Sequence, residues 1–261
     1  MAQGAVIGDG ARIGPWCQIG ARVTIEAGAE LISHVVVDGR TRIGAEAVLF
    51  PFCTVGLAPQ DRKYKGEDTQ CDVGARTQVR ENVTINRGTI TGSGITRVGD
   101  DCLLMATVHV AHDCDVGRDV VMANNVLMGG HVTIGDNAVI GGGAAIHQFT
   151  RIGRSAMVGG MAGVEADVIP FGTVLGNRAH LAGLNVIGLK RRGYDRAQIH
   201  TVRAVFRHLF RNPGVFAERL EEARAEFGAE PLVAEMLAFI DQPSKRGLIR
   251  PAADMVEDEE V

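Results

Sequence analysis

The stretch "VIGDGARIGPWCQIGARVTIEAGAEL", residues 6–31, decides the fold. Ile7, Ile13, Ile19, Ile25 and Leu31 fall six residues apart, and the beat continues through Val37, Ile43, Leu49 and Val55. A helix has no use for a period of six, because such a set drifts around its axis; short strands joined by tight turns keep it on one side. The beat returns at Val73, Val79 and Ile85 and slips by one residue. It then runs from Val98 through Leu104, Val110, Val116, Met122, Met128, Ile134, Ile140, Ile146, Ile152 and Val158 to Val164. Four residues after an anchor the side chain is usually small, as at Ala11, Cys17, Ala29, Cys102 and Cys114. Anchor and partner are therefore expected to face inward, and the residues between them outward.

Composition agrees with many turns around thin aliphatic layers: 34 of the 261 residues are glycine, and only 5% are aromatic. The formal charge of −4 argues against nucleic acid as a partner. The cysteines, Cys17, Cys53, Cys71, Cys102 and Cys114, are odd in number and form no C-x-x-C pair, as expected of small buried residues in a reducing compartment. No basic-then-apolar leader opens the chain, and no apolar run approaches the roughly 20 residues of a transmembrane segment. A cytoplasmic protein is expected.

The beat resembles the hexapeptide repeat of left-handed parallel β-helices, in which three hexads make one triangular coil and residues 18 apart stack. The resemblance implies a mainly β protein: a left-handed β-helix of about ten coils over residues 1–185, followed by a small C-terminal helical domain at 186–250. Two stretches lack anchors, "LAPQDRKYKGEDTQCD" (57–72) and "NRGTITGSGITR" (86–97), and are expected to loop out of the coils, where function tends to sit. Beyond Pro170 the period changes. Ile199, Val202, Phe206, Leu209 and Phe210 share one helical face, Asp195 and Gln198 fit a capping box, and further helices are expected near 215–227 and 232–240. The acidic tail 251–261 is expected to be disordered.

"HVAHDCDVG", residues 109–117, departs from this monotony by crowding titratable groups together. Val110 and Cys114 are inward by phase, so His109 and His112 face outward, as do His131 and His147. Counting in steps of 18 places His112, His131 and His147 on nearly one edge, a column about 10 Å long at about 4.8 Å per coil. Outward histidines are also ordinary solvated surface. They further resemble the intersubunit zinc site of γ-class carbonic anhydrases, but that site uses an H-x4-H pair and here the close pair is H-x2-H. Asp113 beside His112 suits an oriented base better than a ligand set, so neither metal nor cofactor is expected. A smooth coil edge has no pocket of its own, so a neighbouring subunit is expected to complete a cleft.

Taken together, "QDRKYKGE" (60–67), "NRGT" (86–89), "HVAHDC" (109–114), "GGHV" (129–132), "HQF" (147–149), "GLKRRG" (188–193) and "RGLIR" (246–250) resemble the UDP-N-acetylglucosamine acyltransferase family over essentially the whole chain. The resemblance implies a homotrimer that moves a 3-hydroxyacyl chain from acyl carrier protein to the 3-hydroxyl of UDP-N-acetylglucosamine, the first acylation of lipid A synthesis. A sugar hydroxyl is a poor nucleophile and needs a general base. His112 matches that base, Asp113 the residue that orients it, and the Gly130 N–H the donor to the thioester oxyanion. By the same resemblance Gln60, Asp61 and Lys63 line the sugar and phosphate region. His109, His131, His147 and Gln148 contact sugar and acyl group, and Asn185 holds the acyl or pantetheine portion. Lys190, Arg191 and Arg192 form a basic cluster for the diphosphate, chiefly Arg192, and for the acidic carrier protein.

In "VGGMAG" (158–163), Gly160 matches the position that limits acyl length, about 13 Å along the coil axis from His112. Having no side chain there, it implies room for a longer chain, with Met161 beside it. One departure stands out: "NVIGLKRRG" (185–193) has Ile187 where the family often has glutamate, which leaves a 3-amino acceptor sugar open. An acetyl-coenzyme A-dependent transferase and a catalytically silent β-helix are the remaining alternatives.

Overall fold

The computed structural model describes residues 1–252. Each coil gives one short strand to each of three parallel sheets, and the sheets form the faces of a left-handed triangular prism. Face one has eight strands, from Val6–Ile7 to Arg151–Ile152. Face two has ten, from Arg12–Ile13 to an antiparallel hairpin of Gly172–Leu175 and His180–Leu184. Face three has eight, from Gln18–Ile19 to Gly163–Val164. Partners stand 18 residues apart, as in Val6 with Thr24, Arg12 with Glu30 and Gln18 with Val36. This makes close to nine coils, fewer than the ten expected, because the excursions take residues out of the count.

The anchors fill the prism. Val37, Ile43, Leu49, Val55, Leu104, Val110 and Ile140 have no exposed surface, and burying each such side chain contributes roughly 1.5–3 kcal/mol. The faces meet at turns whose central residue is left-handed: Asp119 and Asn137 between faces one and two, Thr107 and Asn125 between two and three, Asp113, His131 and Phe149 between three and one. Such a residue outside glycine costs about 1–2 kcal/mol, and its side chain is thrown outward from the corner.

The excursions are shorter than expected. They occupy residues 58–69 and 87–94, since Gln70–Val73 and Ile95–Val98 are four-residue strands paired along their length. Cys71 and Thr96 point inward two residues before their anchors, the partner position of the hexad phase, so the repeat resumes inside what read as loop. Both detours leave the prism at the same corner, between faces three and one.

The C-terminal part comprises α1 (Val186–Arg191), α2 (Arg196–Phe210), α3 (Phe216–Phe227) and α4 (Pro231–Asp241). The Asp195–Gln198 capping box is present, and the predicted apolar face of α2 is buried. This part is not separate from the prism. Arg154 grips Glu235 of α4 and the Tyr194 hydroxyl, and the terminal segment returns to the coils, where the Asp167 N–H donates to the Gly247 carbonyl and the Ile249 N–H to that of Asp167. The expectation for the acidic tail falls, beyond Ala252, outside the described residues.

Candidate active site

One corner of the prism, between faces three and one, gathers nearly every irregular feature of the chain. From the N-terminal side it carries the excursions 58–69 and 87–94, then the turns at 111–114, 129–132 and 147–150, then the returning segment near Lys245. In these three turns His112, Gly130 and Gln148 form one column, and Asp113, His131 and Phe149 the next. Turn hydrogen bonds from the His131 N–H to the His112 carbonyl (3.0 Å) and from the Phe149 N–H to the Gly130 carbonyl (3.1 Å) fix this register.

Asp113 is buried, with its side chain wholly out of solvent. The second excursion wraps it. Its carboxylate accepts from the Thr89 N–H (3.0 Å), the Thr89 hydroxyl (2.6 Å), the Gly94 N–H (3.1 Å) and the Ser93 hydroxyl (3.3 Å). Gly92 must be glycine, because a Cβ there would lie 2.4 Å from the carboxylate carbon. Burial pushes the Asp113 pKa up, but hydrogen bonds from His112 and Thr89 outweigh it and hold the group below the usual carboxylate range.

His112 Nδ1 sits 2.8 Å from Asp113 Oδ2. Asp113 is acceptor only, so Nδ1 carries the proton and Nε2 is left with its lone pair. The imidazole lies over Gly130, where a Cβ would come within 2.6 Å of its Cε1. The Gly130 N–H makes no hydrogen bond among the described residues. His131 meets His112 edge-on at 5.0 Å between ring centroids and stacks on Phe149 at 4.4 Å. Burial lowers the His131 pKa, and the His112 and Lys245 charges add to this while Asp113 and Asp61 oppose it. A cleft of about 570 Å³ is lined by Gln60, Asp61, Lys63, His112, His131 and Gln148, with Arg62, Thr91 and Phe149.

The prism thus unites Gln60, Asp61, Lys63, His112, Asp113, Gly130, His131 and Gln148. His109 is adjacent on face three, bonded through Nδ1 to the Thr84 hydroxyl (2.7 Å), and burial lowers its pKa. His147 corrects the expected column. It shares the position of Ala111 and Gly129, is exposed, and lies 3.2 Å from the Gln148 carbonyl, so the third ring of the stack is Phe149. His131 follows His112 by 19 residues and His147 follows His131 by 16, so the two lie on opposite sides of the 18-residue column. The other candidates lie on other corners. Gly160 is in the turn between faces two and three. Arg192 bonds Asp119 and Asn137 between faces one and two, with exposed Arg191 next to it. Asn185 caps α1, accepting from the Gly188 N–H and donating to the Ser155 carbonyl, so its amide is already engaged. Ile187 is 66% exposed.

Thr89, Ser93, Phe149 and Lys245 carry no role in the sequence reading, although Thr89 and Phe149 stand within the quoted motifs. The signal available was phase, since both excursions break the repeat at the corner that bears His112. His112, Asp113 and His131 have ligand-capable atoms within 4.8 Å of one another. The Asp113 oxygens, however, are taken up by donors from Thr89, Ser93, Gly94 and His112, which favours a hydrogen-bonded dyad over a coordination sphere.

Residues 167–249 match the family model described as UDP-N-acetylglucosamine O-acyltransferase, domain 2, and residues 95–130 match six bacterial transferase hexapeptides. The acyl-[acyl-carrier-protein]–UDP-N-acetylglucosamine O-acyltransferase of Azorhizobium caulinodans is 47% identical over 260 residues, 100% of this chain and 96% of that protein. Its counterpart in Paracoccus denitrificans is 49% identical over 205 residues, 78% of this chain and 77% of that one. The solved UDP-N-acetylglucosamine acyltransferase of Francisella novicida superposes with a TM-score of 0.95 at 32% identity, covering 99% of this chain and 94% of that one. The Acinetobacter baumannii structure gives 0.93 at 38%, covering 96% and 97%.

Proposed function

The chain belongs to the family of UDP-N-acetylglucosamine O-acyltransferases, and from that premise we propose how its own residues carry the reaction. It is an acyltransferase that moves an acyl chain from acyl carrier protein to UDP-N-acetylglucosamine, the first step of lipid A synthesis. His112 is the general base. The observation that carries this role is the buried Asp113 carboxylate on Nδ1, which leaves Nε2 to take the sugar 3-hydroxyl proton as the oxygen attacks the thioester. The carbon–sulfur bond then breaks, and the proton returns from His112 to the departing thiolate. The Gly130 N–H, one coil beyond His112, is the donor for the intermediate's oxyanion, and one such donor contributes on the order of 3 kcal/mol. Gln60, Asp61, Lys63, His131 and Gln148 position the acceptor in the cleft. Cys114 is no nucleophile, because it is buried and burial raises its thiol pKa to about 12.

The active unit is a homotrimer. One chain spreads His112, Gly160 and Arg192 over its three corners, and a threefold assembly sets unlike corners of neighbours side by side. Sedimentation equilibrium is expected to give three chains per particle, and an active monomer would end this reading. The carrier protein docks on the basic face of α1 and α2, where Lys190, Arg196 and Arg203 line a cavity of about 580 Å³. The location is cytoplasmic, supported by five free cysteines. Among the described residues no helix is long and apolar enough to cross a membrane.

The deciding experiment is mass spectrometry of the product formed from UDP-N-acetylglucosamine and its 3-amino analogue with a set of acyl carrier proteins. An ester on the first acceptor is expected. Transfer to neither acceptor would overturn the assignment, and transfer to the amine alone would replace ester by amide chemistry.

A further inference from the structure

The segment after α4 runs back along the site corner and stops the column of rings. Its Arg246 Nε donates to the Gln148 carbonyl at 2.9 Å, and the Ser244 hydroxyl accepts from the Arg246 and Gly247 N–H groups, which fixes a tight turn. The turn places Lys245 Nζ 4.1 Å from the Phe149 ring centroid. One face of that ring is already covered by His131, stacked at 4.4 Å with an interplanar angle of 8°, so the ammonium takes the other face.

We propose that Lys245 is a positioning residue for acyl transfer, clamping Phe149 against His131 and opposing a second positive charge within the column. This rests on the assignment of His112 as base. Asp113 Oδ2, the oxygen bonded to His112 Nδ1 at 2.8 Å, is also 4.0 Å from His131 Nδ1. A protonated His131 would compete for that oxygen, draw it away from His112 and weaken both the orientation and the proton affinity of the base. The groups facing His131 work against each other. Asp113 and, from the first excursion, Asp61 favour its cation; His112 from the preceding coil and Lys245 from the returning segment oppose it, and burial opposes it most. Arg62 and Lys63 line the same cleft. The Lys245 ammonium acts on His131 across the Phe149 ring, and one charge at such close range moves a titration by about half a pH unit.

The test uses the full-length chain and the variants Lys245→Met and Lys245→Arg. Methionine keeps an aliphatic stem over Phe149 and drops the charge, and arginine restores the charge. Lys245 is exposed, so folding does not depend on it. Carbon-13 NMR of labelled histidines, assigned with a His131→Gln variant, is expected to show His131 of Lys245→Met titrating about half a pH unit higher. The acid limb of its kcat/KM profile should move the same way, so that its loss relative to wild type is about twofold greater at pH 6 than at pH 8.5. Lys245→Arg should restore both. An unchanged His131 titration, or an acid limb that arginine does not restore, would overturn the inference. A wild-type chain that transfers nothing would sink the catalytic assignment instead, while the titration still decides whether Lys245 governs His131.

Discussion

Two corners of the prism pass through the same coils with the same backbone and end in different chemistry. Between faces two and three, Thr107, Asn125 and Met161 hold left-handed turn positions, with Gly143 between the last two. The Thr107 hydroxyl donates to Asn125 Oδ1, Met161 is 74% exposed, and strands follow one another without detours. Between faces three and one, the equivalent positions are Asp113, His131 and Phe149, and Asp113 is buried. Turn geometry alone therefore does not make a site. Excursion 87–94 and the returning segment cover one corner and not the other, and the hydrogen-bond donors of that excursion outweigh the cost of burial and convert a turn aspartate into a fixed ionised partner for a histidine.

The sharpest break of this comparison is His112→Ala. The residue points away from the core, so the oligomer should persist while kcat/KM falls roughly 10²- to 10⁴-fold. Activity within about threefold of wild type would remove His112 from the role of base.

Smaller losses test the backbone under the dyad. At Gly130 an alanine Cβ would strike the His112 ring and push it from Asp113, so kcat/KM should fall roughly 10- to 100-fold with the fold retained. At Gly142, which holds the matching turn position on the quiet corner, a Cβ meets nothing nearer than the Asn124 carbonyl oxygen at 3.3 Å. Gly142→Ala should cost at least about tenfold less. Equal losses would mean that both glycines serve the turn and not the imidazole.

Thr89→Val asks what the excursion contributes. It removes a 2.6 Å hydroxyl donor from a buried carboxylate, a loss of about 1.5–3 kcal/mol near neutral pH. Asp113 is held below its ordinary pKa, so its ionised form stabilises the fold above about pH 4, and that contribution fades as pH falls from there. The variant has less to lose. Melting temperatures at matched protein concentration should differ most at pH 7 and converge below about pH 4. A constant gap across this range would assign the effect of Thr89 to packing.

The prism was legible because a six-residue aliphatic beat has few physical solutions, and the α2 cap and apolar face were legible from side-chain spacing. His112 and Asp113 stood out as chemistry in a monotonous chain. The rest of the site was hidden because it depends on where the chain passes, not on what it repeats. Thr89 and Ser93 serve Asp113 from about twenty residues upstream, and Lys245 arrives from the far end of the sequence. His147 misled because the left-handed residue of each turn, and not the nearest histidine, is what stacks.

Gly160→Met carries the smallest expected change in the chemical step and extends the comparison to the quiet corner. Gly160 lies on a different corner from His112, so a groove joining them on one chain is ruled out by topology. Its axial rise from His112 still amounts to about 2.7 rungs, roughly 13 Å. In the proposed trimer a groove across a subunit boundary is expected to use that rise as its measure. It is exposed, a Cβ would meet only Gly142, and the exposed Met161 lies beside it. A methionine there would fill groove space far from His112. Transfer from short acyl donors should stay near wild type, while the preference for the longest accepted donor over one about four carbons shorter should fall roughly tenfold, as loss of one to two buried methylenes' worth of contact implies. Competition among mixed donors, read by product mass, measures the ratio directly. The same ratio in both proteins would place the end of the groove elsewhere and leave Gly160 as a turn residue of the quiet corner.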